Sequence, residues 1–503
     1  MNNRIKRTSH IVMILAMGLN AQATSQMKGQ EVTHQSAKGI IEKCVMIDRV
    51  PEGSYSEGDL EEEKEFCELD FYSNSIALCP KVWSTSAGTI VNSLAKSNLT
   101  QSQAEQTTCS QGKANPLKSV AKYKQTMNQN GTSGTFSKSS LLYYHYSRYL
   151  ETTLDIPVAV MRTMDKDMHL ERVTLRARPP ANARMNANAW SFMQEALSNP
   201  NGWSDRDGLF TPDRTQIYGA LLKDKGQRYG SEIIGLRQGQ GYPAQNDELQ
   251  QTPSFLALAS PGDLQTAIRH GIQKAFQNSA MKEAFRSEAP STLQMVLWMN
   301  EMSEMAVLDY VFSQQDRVGN IDFRWYWMFV DGEGNFRKAK VQSEVSLKSK
   351  GTLLAKVVKT YAANDNSDDA QDARMYHAIR QYNPILVQKT MIGDNDAGGR
   401  VEYANFTKRQ KFLEKFKHLN PRLYKKIIKM DLDFKSQGAL YSYFKETFGL
   451  DNKQFNQIIS NTASAAQILK SACESDTLKF DLVSHKNAAK NEFTEETLNC
   501  SNP

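Results

Sequence analysis

The stretch over residues 291–341 constrains the fold more than any other. Between 291 and 312, Leu293, Val296, Leu297, Met305, Leu308 and Phe312 recur at helical spacing, mainly along one side. The pattern breaks at Gln315-Asp316-Arg317-Val318-Gly319-Asn320, and an aromatic segment over 323–330 follows at once. Asp331-Gly332-Glu333-Gly334 separates that segment from 335–341, which is a hairpin signal. Trp325, Tyr326 and Trp327 read as core, because large aromatics dominate buried area. The polar loop between helix and strand is either a plain turn with a local Asp316–Arg317 ion pair or a catalytic loop.

The environment of the chain can be read from its start. Arg4, Lys6 and Arg7, an apolar run from Ile11 to Leu19, and the small-residue pattern Ala21-Gln22-Ala23 describe a secretory signal peptide cleaved after Ala23. Export, to a periplasm or beyond the cell, is therefore expected. The apolar run is too short to span a bilayer, and no later run supplies the ~20 apolar residues that spanning needs. After cleavage 58 basic residues face 55 acidic ones. So even a balance gives no case for nucleic acid as the partner. All six cysteines lie beyond the leader: Cys44, Cys67, Cys79, Cys109, Cys473 and Cys500. An even count in an exported chain suggests disulfides, with two bridges in the first group and Cys473 with Cys500. The absence of any Cys-x-x-Cys pair argues against zinc.

Composition divides the remainder. Residues 24–115 are a Cys-bearing extension rich in Ser, Thr, Gln and Glu, with one strand-and-turn patch, FYSNSIALCPKVWSTSAGTIV. Residues 116–175 carry a basic strand (SVAKYKQTM), a glycine turn and a helix in which Leu142, Tyr146, Tyr149 and Leu150 share a side, with Ser137 as N-cap. The strand IPVAVMRTM follows. Residues 176–290, with many Asn, Pro and Gly, read as a loop-rich insertion. Residues 291–470 hold the long helix, the hairpin and amphipathic helices from about 409, and 471–503 form a tail. The run NDNSDDAQDA reads as a solvated loop.

Several familiar signatures are absent, including His-Glu-x-x-His, Gly-x-Ser-x-Gly and Gly-x-x-x-x-Gly-Lys-Ser/Thr, and GLRQGQGYP lacks the third glycine of a dinucleotide fingerprint. Two acidic sites remain. One is the Asp316–Asn320 loop. The other is MIGDNDAGG, where Asp394, Asn395 and Asp396 follow the strand ILVQKTMI. Phosphoryl transfer needs an aspartate to orient or deprotonate the attacking hydroxyl, and hard oxygen ligands to hold magnesium against phosphates. The two sites together could supply both.

At these residues the chain resembles a family. DYVFSQQDRVGN is similar to the catalytic loop of the atypical kinases that include the four-jointed and Golgi secretory kinases, the phosphatidylinositol kinases, and the HipA-like and spore-coat kinases. SLLYYHYSRYLETTLDIPVAVMRTM resembles the helix that follows their lysine strand, and GDNDAGG their metal-binding element. The resemblance covers about 120–440, interrupted by long unmatched stretches. It implies an α+β, two-lobed protein-kinase-like fold, with a Cys-bearing N-terminal extension and long insertions. It also implies Asp316 as catalytic aspartate, Asn320, Asp394 and Asp396 as ligands of Mg2+ or Mn2+, and Lys122 or Lys124 reaching the nucleotide phosphates. Ser140 stands where such kinases place a glutamate, and Val318 where a histidine often follows Asp-Arg. The implied activity is phosphate transfer from a nucleotide to a protein or glycan hydroxyl.

Other readings stay open. An inactive kinase-like or unrelated domain could act as a binding module. Asp394, Asp396 and Gly399 suit positions one, three and six of an EF-hand, but Gly398 and Asn405 fail at five and twelve. Asp331 is a rival metal aspartate, although Asp-Gly in a hairpin is usually only a turn. Arg317 reads as a structural donor.

Overall fold

In a computed structural model the chain is described over residues 27–503, except 111–114, 181, 206–207, 224–225, 343–349, 483–486, 488–491 and 493, and without the side chains of 350–353. The expected signal peptide lies outside the described residues. The chain first forms β1 (Gly29–Gln35) and β2 (Ile41–Ile47), then a helix, Glu57–Glu68, whose Ser56 and Asp59 form a reciprocal capping box. Strands β3 (Ile76–Pro80), β4 (Thr89–Ser93) and β5 (Lys118–Gln125) follow, then the Tyr-rich helix Ser137–Leu150, β6 (Ala159–Asp165) and β7 (Gln216–Leu222). These strands make one seven-stranded sheet in the order β1-β2-β6-β7-β5-β4-β3, antiparallel throughout. The segment before residue 116 thus contributes four of its strands. Cys44–Cys67 ties β2 to the Glu57–Glu68 helix, and Cys79–Cys109 ties β3 to the segment behind it.

The second part is built on the helix Thr292–Phe312, capped by Ser291, whose side chain accepts from the Gln294 N–H. All but the first of its residues are buried, including Glu301, Glu304 and Asp309, so the one-sided pattern read from the sequence is not what the fold uses. A helix buried all round is the core of a large protein. Distant backbone N–H groups meet two of its acids: Glu304 accepts from Thr153 and Leu154 N–H groups at 2.8 and 3.0 Å, and one Glu301 oxygen from Thr390 N–H at 3.0 Å. The other Glu301 oxygen and the Asn300 amide are buried without a hydrogen-bond partner among the described residues. Beside it stands a four-stranded sheet of β8 (Gln227–Arg228), β9 (Ile321–Val330), β10 (Phe336–Lys340) and β11 (Ile385–Ile392), in which β9 and β10 form the expected hairpin. Helices Pro421–Ser436, Ala439–Thr447 and Asn452–Glu474 complete this part, and Cys473–Cys500 fastens the tail. The fold is therefore mixed α+β, a large antiparallel sheet with helices, and is compatible with two lobes.

Three local expectations fail for physical reasons. Residues 176–290 hold helices such as Arg184–Ser198 and Leu264–Ala275, the second capped by Asp263, and the strand β7, because the Asn, Pro and Gly fall largely between these elements rather than inside them. Asp368–Ile379 is a helix rather than a solvated loop: Ser367 caps it, Asp368 and Asp369 suit the positive end of its dipole, and Asp372 accepts from Gln342 N–H at 2.7 Å. Ser137 begins its helix without capping it. Its hydroxyl pairs with that of Thr126 at 2.9 Å. Among the described residues, no helix is long and apolar enough to cross a membrane.

Candidate active site

The long helix ends at Phe312, and Ser313 adopts the left-handed conformation (φ 52°) that turns the chain into the Asp316 loop. Arg317 anchors this loop. Its guanidinium forks onto Asp309, with Nε and Nη2 both at 2.9 Å, and donates to the Gly393 carbonyl and the Asn395 side chain, each at 2.9 Å. Tyr143, from the Tyr-rich helix, donates to the same Asp309 at 2.7 Å. One buried arginine thus joins the long helix to the turn after β11, and Tyr143 brings the third element to it. This is the structural-donor role expected of Arg317.

The turn after β11 is held equally closely. Gln315 N–H donates to the Ala397 carbonyl at 3.1 Å, Phe136 N–H to the Asp396 carbonyl at 2.7 Å, and the Ser139 hydroxyl to the Asn395 carbonyl at 2.8 Å. Gly399 has φ +79° and gives its N–H to the Phe312 carbonyl at 2.5 Å, a geometry that side chains resist. Asp394 itself sits at φ 46°, an uncommon backbone state of the kind that clusters at functional sites.

The structure brings five of the expected residues together. Strand β5 points Lys122 and Lys124 to one side, with Tyr123 on the other. Lys124 Nζ donates to Asp394 Oδ1 and, at 2.6 Å, to Asp396 Oδ1. Lys81, in the β3–β4 turn, lies 4.0 Å from Asp394 Oδ1. Burial pushes the Asp394 carboxyl up, but Lys124, Lys81 and Lys122 more than offset it and hold it well below the usual range. Asp316 behaves in the opposite way. Burial, then the negative charge of Asp394, raises its carboxyl to about 6, and Asp396 adds to the effect. Positions 78 residues apart in sequence therefore share one electrostatic cleft. Asn320 borders it with both ends of its amide engaged: Nδ2 donates to the Asp316 carbonyl at 2.7 Å, and Oδ1 accepts from Arg228 at 3.2 Å.

Sequence reasoning missed several members. Lys81 and Tyr242 have no motif around them, and Tyr242 is near enough that the Asp316 charge, after burial, raises its hydroxyl to about 12. The signal for Lys81 was its place in the polar turn between two apolar strands. Asp309 and Asn395 stood beside singled-out residues, but only the fold shows that Arg317 binds both. Asp331, the rival metal aspartate, pairs instead with Arg337 at 2.8 Å within the hairpin. Ser140 is buried and no residue of the Ser137–Leu150 helix is acidic, whereas Asp394 and Asp396 of the turn after β11 both meet Lys124. Among the described residues, no group of three or more His, Cys, Asp or Glu side chains is placed to hold a metal ion. No protein-family model matches the chain, and no curated protein is significantly similar to it.

Proposed function

We propose that the chain is an exported, kinase-like phosphotransferase that moves phosphate from a nucleotide to a protein or glycan hydroxyl. The observation that carries this reading is the cleft in which Lys124 bridges Asp394 and Asp396 while Asp316 feels both of their charges. Chain order supports it as well. A lysine strand, a helix, a strand, a long helix, an Asp-Arg loop, a hairpin and an acidic turn follow one another as the kinase resemblance implies.

In this reading Asp316 takes the proton of the acceptor hydroxyl. A carboxyl raised to about 6 is a stronger base than an ordinary aspartate and is still mostly ionised at neutral pH. Asp394 and Asp396 would hold Mg2+ or Mn2+. Their hard oxygens suit such an ion, and magnesium is usually bound by one or two carboxylates, with phosphate and water completing its shell. When bound, the ion neutralises charge on the transferring phosphoryl group. Lys124, released from Asp394, would turn to the phosphates with Lys122 and Lys81 beside it. Asn320 could join the metal only by giving up its bond from Arg228. Three disulfides suit an oxidising compartment, so the acceptor is sought among exported proteins and glycans.

One observation favours a second reading, that of an inactive binding module. Lys124 has no acidic partner on the neighbouring helix, and active kinases depend on that pair. Phosphorus NMR of the mature protein with magnesium, nucleoside triphosphates and periplasmic or secreted acceptors separates the two. The phosphotransferase reading requires nucleotide consumption coupled to acceptor phosphorylation and lost in Asp316→Asn. Consumption equal in wild type and variant, or none with any nucleotide, leaves the binding module.

A further inference from the structure

A cavity of about 1310 Å3 is lined by none of Lys124, Asp316, Asp394 and Asp396. Its floor is one face of the four-stranded sheet, and its walls come from the start of the Glu57–Glu68 helix, the segment between the Tyr-rich helix and β6, and the ends of β5 and β7. Among the described residues, eight lysines and arginines line it against four carboxylates, an excess of four positive charges, whereas the whole chain carries only +6. The sheet register concentrates this charge. Arg324 on β9 stands directly opposite Lys389 on β11, and Lys338 and Lys340 on β10 oppose Met328 and Tyr326, so all four cations leave the same face. Like charges directly opposite in a sheet are destabilising. Asp155 answers Lys389, and Glu62 lies close enough to Lys223 and Arg324 to feel their charges. Burial and the nearby Lys389 charge make Lys338 a weaker base than usual.

A fold that gathers unfavourable charge in a concave, partly aromatic cavity has a use for it, because such walls focus the field on an anion. We propose that this cavity binds a multiply charged oxyanion, a phosphate- or sulfate-bearing small molecule, held by Arg324, Lys338, Lys340 and Lys389 and flanked by Tyr326 and Phe336. Ammonium groups and a guanidinium fork match phosphate and sulfate oxygens. The volume exceeds the ~300–1,000 Å3 of ordinary ligand sites, which suits several anionic groups on one frame. The site is separate from the proposed catalytic cleft, and its existence does not depend on phosphotransfer.

The test is calorimetric titration of the mature, disulfide-intact protein with inositol hexakisphosphate and, separately, with sucrose octasulfate, at roughly 0.15 M salt to screen surface charge. One saturable site for at least one probe is expected, and the tighter probe tells a phosphate ligand from a sulfate one. Lys338→Glu with Lys340→Glu, on an exposed strand, should weaken it about tenfold or more, whereas Lys124→Ala should leave it unchanged. The milder Lys338→Gln should weaken it less, and an unchanged unfolding midpoint shows that it still folds. Saturation by neither probe, affinity indifferent to charge reversal, or loss of binding in Lys124→Ala would each overturn the proposal.

Discussion

Asp316→Asn should make the protein more stable while making it inactive. The Asp316 carboxyl rises from 3.8 to about 6 because burial and the neighbouring Asp394 charge disfavour its ionised form. At 1.36 kcal/mol per unit this is about 3 kcal/mol of native-state penalty once the group is charged, and residual solvent contact brings the expected value to about 1–3 kcal/mol. The sign follows from proton counts. Between pH 3.8 and about 6 the unfolded chain has released this proton while the folded chain retains it, so stability falls as pH rises through that window and stays lower above it. Asparagine carries no such penalty. The variant should therefore match wild type below pH 3.8 and exceed it above about 6. Under the phosphotransferase reading its turnover should also drop by about a hundredfold or more, the scale of a lost general base. The assay is denaturant unfolding with disulfides intact, at pH 3.5 and 7.5, comparing midpoints because a chain of this size need not unfold in two states. A variant less stable than wild type at pH 7.5, or a gain independent of pH, would refute the account of the cleft.

Glu301→Gln should flatten a second part of the pH profile. Burial raises this carboxyl from 4.5 to about 8, so wild-type stability should decline over that window by at most about 5 kcal/mol, a decline that the variant's unfolding midpoints should lack. Arg317→Lys should lower stability by about 2–4 kcal/mol in chemical denaturation, because one ammonium cannot replace the fork onto Asp309 together with the Gly393 and Asn395 contacts. Replacing Cys473 and Cys500 by serine removes a bridge with a sequence separation of 27 residues. Limited proteolysis should then release the tail first, and the chain-entropy cost is roughly 3.5 kcal/mol.

Elements with strong local signals were legible in the sequence. The long helix, the β9–β10 hairpin with its Asp-Gly turn, the strands carrying Lys124 and preceding Asp394, and the grouping of the cysteines all follow from periodicity, turn chemistry and export. What was hidden depends on contacts between distant residues. Nothing local tells that β2 pairs with β6, so the first strands could not be assigned to the sheet that carries Lys124. Glu301, Glu304 and Asp309 made the long helix look half-exposed, because only the partners Thr390, Thr153 and Arg317 make their burial tolerable. The Asp-rich run near 368 misled for a similar reason, since the acids that signal solvent also favour a helix start. The basic sheet face was invisible, because Arg324, Lys338 and Lys389 come together only through strand register.

Magnesium-dependent nucleotide binding tests the central claim most directly. Calorimetric titration of the mature protein under oxidising conditions, with several nucleoside triphosphates with and without Mg2+ or Mn2+, should show binding that requires the metal. That binding should vanish when Asp394 and Asp396 are both changed to alanine and weaken strongly in Lys124→Ala. No nucleotide bound with either metal, or binding that survives the loss of both aspartates, would contradict the phosphotransferase account.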